Sequence, residues 1–216
     1  MSRDAILHKV RTALGRSVGQ PPGPVPDVYM RVPPVDIADR VASFRQRLEL
    51  LAGKTFHAHS PAEATEYVRS VIAGRSAIAS NASYLHECGI PYIEGVRCDI
   101  KDREELRDIC STAAVGITSA DYALADTGTL VMLSSVEEAR LISLLPPVHV
   151  AVVPIGRLLT GLDELLTMLP NPARVSSAMV FITGPSRTAD IEQILVRGVH
   201  GPGEIHVVIA GANAET

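Results

Sequence analysis

The stretch that most restricts what this 216-residue chain can fold into runs from Met179 to Ala210. An apolar run, Met179 to Thr183, meets a Gly-Pro-Ser-Arg turn; a short helix-like segment and a second Gly/Pro turn lead to another apolar run ending at Ala210. Neither run alternates polar with apolar residues as a half-exposed strand does, so both read as central strands of a sheet covered on two faces. The outline is that of a strand, crossover and strand. The turn after the first run is a candidate ligand loop. Gly184 lets the backbone approach a ligand, Ser186 and Thr188 offer hydroxyls, the N–H groups opening the following helix favour an anion, and Arg187 adds charge. Beyond it, Gly198-Val199-His200-Gly201-Pro202 carries an imidazole in a loop.

The rest of the chain supports the same class. Residues Asp4 to Gly15 space Ile6, Leu7, Val10 and Leu14 as a short amphipathic helix, and the proline-rich segment Gln20 to Pro34 is an extended linker. Residues 1–35 therefore form an arm that either straps its own domain or docks on a partner, and residues 36–216 form one α/β domain. In that domain Val41, Phe44, Leu48 and Leu51 mark a helix, and Lys54 to Ala58 a strand. Ser60-Pro61-Ala62-Glu63 opens a helix running to about Ala73, followed by a strand from Ser76 to Ser80. A helix from Ser83 to Cys88, a strand from Ile90 to Glu94, a helix opened by Asp102 and a strand from Ala113 to Thr118 continue the alternation. Asp121 to Ser135 reads as a hairpin with a three-residue loop around Asp126-Thr127-Gly128. Ser135 and Glu138 form a capping box for a helix from Val136 to Leu145 that carries Arg140 one turn in; a strand from His149 to Pro154 and a helix from Thr160 to Leu169 follow. The alternation predicts a single open, mixed or parallel sheet with helices on both faces.

Composition narrows the function. Net charge is −4, with eight aromatic residues and no Trp, which excludes a basic, aromatic-lined nucleic-acid surface. The N-terminus has no signal-peptide centre and no apolar run is long enough to span a bilayer, so the expectation is a cytoplasmic protein without an integral membrane segment. Cys88, Cys98 and Cys110 make no C-x-x-C pair and read as buried thiols. His57 and His59 have no acidic third ligand nearby, so no metal site is expected. The letters of Asp126-Thr127-Gly128 occur in aspartic proteases, but that chemistry needs two such carboxylates and the chain has one copy. No G-x-G-x-x-G follows a strand, so no dinucleotide cofactor is expected.

Two segments, ADTGTLVMLSSVEEARLISLLPPVHVAVV (Ala125 to Val153) and ITGPSRTADIEQILVRGVHGP (Ile182 to Pro202), resemble the LUD-domain family. With the short N-terminal helix, the arrangement resembles its lactate utilization protein C group. The resemblance implies a fold like that of ribose-5-phosphate isomerase, glucosamine-6-phosphate deaminase and CoA transferases, and a part in oxidising L-lactate to pyruvate beside iron–sulfur proteins. It carries family positions onto Asp126, Thr127, Gly128, Glu138, Arg140 and His149. It also carries them onto Gly184, Pro185, Ser186, Arg187, Thr188, Asp190 and Glu192, with Gly198, His200, Gly201 and Pro202. The chain lacks cysteine-rich cluster motifs, so iron–sulfur clusters are expected only on partner subunits.

The resulting expectation is a lactate-utilization subunit that binds a small carboxylate, or a phosphorylated or CoA-linked metabolite, at the Gly184–Thr188 loop. Arg187 or Arg140 would clamp the anion, and Asp126 or His200 would carry a proton. Two other readings stand beside it: a non-catalytic assembly or regulatory protein, and a stand-alone isomerase or acyl-transfer enzyme of the same fold. Self-association is left open.

Overall fold

The structure, a computed structural model, describes residues 2–21, 23–24, 33, 35–188 and 196–212. The chain begins with helix α1 (Arg3–Ala13), whose Ser2 hydroxyl accepts the Ala5 N–H and whose residues are all at least partly exposed. Helix α2 (Ile37–Leu50) buries Val41, Phe44 and Leu48, the stripe expected from helical spacing. Strand β1 (Lys54–Ala58), helix α3 (Pro61–Ile72), strand β2 (Ala77–Ala79) and helix α4 (Ser83–Glu87) follow. Ser60 caps α3 by accepting the Glu63 N–H, with Pro61 preset at the first helical position.

The strand expected over Ile90 to Glu94 is instead a 3₁₀ turn over Ile90–Tyr92, and strand β3 is Val96–Arg97. Pro91 has no N–H for a ladder, which displaces the strand beyond it. Helix α5 (Arg103–Thr112) and strand β4 (Val115–Ser119) come next. Strands β5 (Tyr122–Leu124) and β6 (Thr129–Leu133) then form the expected hairpin, with a loop of residues 125–128 and Gly128 at φ +67°. The loop is thus one residue longer than expected.

The helix expected from Val136 shrinks to α6 (Arg140–Leu144). Ser135 does accept the N–H groups of Glu137 and Glu138, but the Glu138 carboxylate turns away from the cap toward Ser80 and Ser119. The first turn is lost, and Arg140 opens the helix. Strands β7 (Val148–Pro154) and β8 (Leu158–Leu159) and helix α7 (Leu162–Met168) follow. The last elements are β9 (Met179–Ile182), β10 (Arg187–Thr188), β11 (Val196–Arg197) and β12 (Glu204–Ala210).

Six strands form a parallel sheet in the order β1-β12-β7-β4-β2-β3. On one face Val148, Val150, Val152 and Val208 pack with Val68, Ile72 and Leu85 from α3 and α4. On the other, Ala151, Val153, Ile205, Val207 and Ile209 pack with α2 and with Ala123, Leu130 and Leu158 of a second sheet. Helices α5 and α6 meet Ile78 on that second face through Ile109, Cys110 and Ile142. Both pleat faces of β7 and β12 are buried, which is why their sequences do not alternate. The α/β class with an open parallel sheet is as expected.

The addition is the second sheet, in the order β8-β5-β6-β9. It corrects the reading of both apolar runs between Met179 and Ala210 as central strands of one sheet. Strand β12 is central in the parallel sheet, but β9 pairs antiparallel with β6 at the edge of the second, with Phe181 42% exposed. The hairpin offers β9 a ladder of four residue pairs, a partner that the apolar run alone does not reveal. Where a helix start was expected, β10 pairs antiparallel with β11; the expected helix itself lies on residues 189–195, outside the described residues. Among the described residues no helix is long and apolar enough to cross a membrane.

Candidate functional site

Two cavities at opposite edges of the parallel sheet gather about half of the candidate residues. The smaller, about 150 Å³, lies at the amino edge, where β7 and β12 begin. Its walls are His149, Gly184, Pro185, Ser186, His200, Gly201 and Pro202, together with Ser143, Leu144, Ile182 and Ile205. Residues distant in sequence meet because two loops zip together. The Ser186 N–H donates to the Pro202 carbonyl at 2.8 Å, and the Gly198 N–H donates to the Ser186 carbonyl at 3.0 Å.

That zipping narrows what the loop has free for an anion. The Ser186 N–H is spent on Pro202, and Arg187 and Thr188 are ladder residues rather than the start of a helix. Gly184 is at φ +102° with its α-carbon packed toward Leu51, so its lack of a side chain serves the turn and the packing. Arg187 is exposed and stands in register with Arg197, placing two cations on one side of the ribbon beside Ser186.

His149 is the polar centre of this cavity. It is 1% exposed, one ring nitrogen (Nε2) lies 2.8 Å from the Thr118 hydroxyl, and the other (Nδ1) has no partner. Burial holds its pKa down at about 4, so the ring is neutral near pH 7. His200 is exposed.

The hairpin tip is separate. Asp126 and Thr127 are exposed, and neither lines this cavity or the larger one. A line of hydroxyls does tie the hairpin to the Gly184 turn: Thr127 meets Thr129 at 2.8 Å, and Thr129 meets Thr183 at 2.9 Å. Arg140 is exposed at the start of α6. Asp190 and Glu192 lie outside the described residues.

The larger cavity, about 590 Å³, lies at the carboxyl edge, lined by the ends of β4 and β7 and the loop after β2. Glu138 is the candidate residue that reaches it. Its Oε1 accepts the Ser80 hydroxyl and the Ser119 N–H, both at 2.8 Å, while Oε2 has no partner. Burial pushes its pKa up to about 7, and the charge of Asp121 adds to the rise. Ser80, Ser119 and Asp121 were not singled out in the sequence; Ser80 and Ser119 stand at strand ends whose position only the sheet order reveals. Among the described residues no group of His, Cys, Asp and Glu could hold a metal ion, and Cys88, Cys98 and Cys110 are free thiols, Cys98 only half-buried.

The profile of the LUD domain matches residues 41–210, most of the chain and both cavities. The chain belongs to the LUD domain family. Relatives of this LUD-domain chain are named lactate utilization protein C. One from Halalkalibacterium halodurans is 34% identical over 65% of this chain and 64% of its own length. One from Bacillus subtilis is 44% identical over 42% of this chain and 39% of its own. One from Anoxybacillus flavithermus is 29% identical over 92% of this chain and 94% of its own. The first two alignments span less than two thirds of those relatives. The fold is also that of a DUF162 family protein from Deinococcus radiodurans, with a TM-score of 0.65 at 18% identity over 82% of this chain and all of that one.

Proposed function

We propose that this LUD-domain protein acts in lactate utilization, as the names of its relatives suggest, and that lactate or pyruvate occupies the small cavity against His149. The observation carrying this reading is a buried imidazole with an unpartnered nitrogen in a cavity of matching size. At about 30 Å³ per water-sized unit, 150 Å³ accommodates on the order of five to six heavy atoms, and lactate has about that many. Leu144, Ile182, Pro185 and Ile205 would take the methyl group, and Ser186 would donate a second hydrogen bond to the carboxylate. A carboxylate beside the neutral ring favours its protonation, so the anion enters together with a proton. Arg187 and Arg197 would draw anions toward this side of the molecule. In this reading the electron-carrying clusters reside on iron–sulfur partner proteins.

Calorimetry with L-lactate at pH 7 in buffers of differing ionisation heat tests the proposal. Wild type should take up close to one proton per lactate bound. Ser186→Ala should bind several-fold more weakly with the same proton uptake, and His149→Gln should lose the uptake. Absence of binding for both lactate and pyruvate, or unchanged uptake in a folded His149→Gln protein, would overturn it.

A second reading, a non-catalytic assembly protein, is favoured by α1, which buries none of its residues and leaves Ile6 and Val10 about half exposed. Such a helix gains its stability from a surface to dock on. Deleting residues 2–35 should then abolish copurification with iron–sulfur partners, and retained complex formation would argue against that role.

A further inference from the structure

The larger cavity is built differently from the lactate-sized one and stands at the edge where parallel sheets place ligands. Its volume of about 590 Å³ is on the order of twenty water-sized units, several times what lactate fills. Its walls combine apolar surface, from residues such as Leu133, Leu169 and Val175, with hydrogen-bonding groups: Asn81, Ser83, Tyr84, Ser119, Tyr122 and Ser135 supply an amide and hydroxyls. Three carboxyl residues, Asp121, Glu137 and Glu138, face one cation, Arg157. That cation is already engaged. Its Nη1 donates to the Tyr122 hydroxyl at 3.2 Å and its guanidinium lies 5.3 Å from the Tyr122 ring centre. An anionic ligand would therefore meet net negative charge.

Glu138 brings a buried, half-satisfied carboxyl to the cavity wall. It is 9% exposed, lines the cavity, and has Oε1 fixed by two donors while Oε2 has none. A buried carboxyl oxygen left without a partner costs free energy unless a donor arrives. We propose that this cavity is a second binding site, for an uncharged polyhydroxylated metabolite, with Glu138 Oε2 accepting a hydrogen bond from one of its hydroxyls.

The position of Glu138 near neutrality fits a group able to take or return that proton. The ionisable groups around it are Asp121 from the loop before β5, Glu137 beside it, Tyr84 from α4, and Tyr122 and Arg157. Asp99, Lys101 and Arg103 line an adjoining cavity of about 450 Å³ that shares Asn81 and Glu137 with the first. Tyr84 stays protonated, its pKa pushed up to about 12 by burial, and its hydroxyl donates to the Ala210 carbonyl. Asp121, which also lines the cavity, accepts the Leu133 N–H at 2.6 Å.

The test is ligand-observed NMR on the full chain with D-ribose, D-glucose and ribitol, against gluconate and ribose 5-phosphate as charged counterparts. At least one neutral probe should bind, with both anions at least tenfold weaker. Glu138→Gln should weaken the neutral probe at least tenfold without altering lactate binding. In the wild-type protein the probe should shift the titration midpoint of the Glu138 carboxyl, read by ¹³C NMR, a measurement independent of any substitution. Failure of every neutral probe, preference for the anions, or a Glu138 midpoint that stays fixed on binding would overturn the proposal.

Discussion

His149 and Glu138 make opposite and nearly equal demands on stability, and removing either one should expose the other. Burial lowers His149 from 6.5 to about 4. Its folded value lies below the unfolded one, so its contribution is complete above pH 6.5 and is lost as pH falls toward 4, where the unfolded chain binds a proton that the folded chain refuses. At about 1.4 kcal/mol per pH unit this amounts to about 3 kcal/mol. Burial raises Glu138 from 4.5 to about 7. Here the contribution is complete below pH 4.5 and is lost as pH rises toward 7, again by about 3 kcal/mol. Between pH 4.5 and 6.5 the two slopes cancel. Urea unfolding at half-unit steps from pH 4 to 7.5 should then show His149→Gln losing about 3 kcal/mol on going from pH 4.5 to 7 relative to wild type. Glu138→Gln should gain about 3 kcal/mol on going from pH 4 to 6.5 by the same comparison. His206, lowered mainly by burial, tilts all three proteins alike and drops out of the differences. Variant profiles parallel to wild type across this range would refute the opposed burial of the two groups.

Two further substitutions and a truncation probe the scaffold. A methyl at Gly116 would stand 2.0 Å from the Ile142 carbonyl oxygen, a backbone atom that cannot rotate aside. Gly116→Ala should cost about 3 kcal/mol, the upper end for overpacking, and lower the melting temperature by roughly 6–12 °C in calorimetry. Thr118→Val removes the hydroxyl at His149 and should cost about 1–3 kcal/mol by urea unfolding, because it leaves a second buried nitrogen without a partner. Removing residues 2–35 should change the melting temperature of the monomeric chain by less than about 2 °C, since α1 buries nothing. A larger loss would show that the arm straps its own domain.

Much of the fold was legible because local chemistry and burial agree. Ser60 and Asp102 cap the helices they were expected to cap, and β7 and β12 are apolar on both pleats because both pleats are covered. The errors arose where a side chain serves the tertiary structure instead of its own segment. Glu138 has the spacing of a capping-box glutamate, yet its carboxylate goes to a strand end that is distant in sequence. Met179 to Ile182 is apolar enough for a central strand, but its hydrogen-bonding partner is a hairpin edge. The candidate residues were gathered only in part for the same reason. His149 and the Gly184 and His200 loops converge through backbone bonds between loops, while Asp126 and Arg140 point elsewhere; no spacing rule encodes either outcome.

The middle of β4 carries a consequence for how this protein can change over generations of substitution. Thr118 holds the hydroxyl that meets His149, and the peptide unit joining it to Ser119 supplies the N–H that holds Glu138. One rigid plane is thus the common mount for groups facing opposite edges of the sheet. A substitution within β4 that tilts this plane re-aims both groups, so changes in the strand itself reach the two cavities together. Gly116, two residues earlier and pressed against Ile142, leaves that mount almost no room to give. Engineering a new ligand preference at either edge is therefore better done from the loops around each cavity than from β4, where one change would call for a second on the other side of the strand.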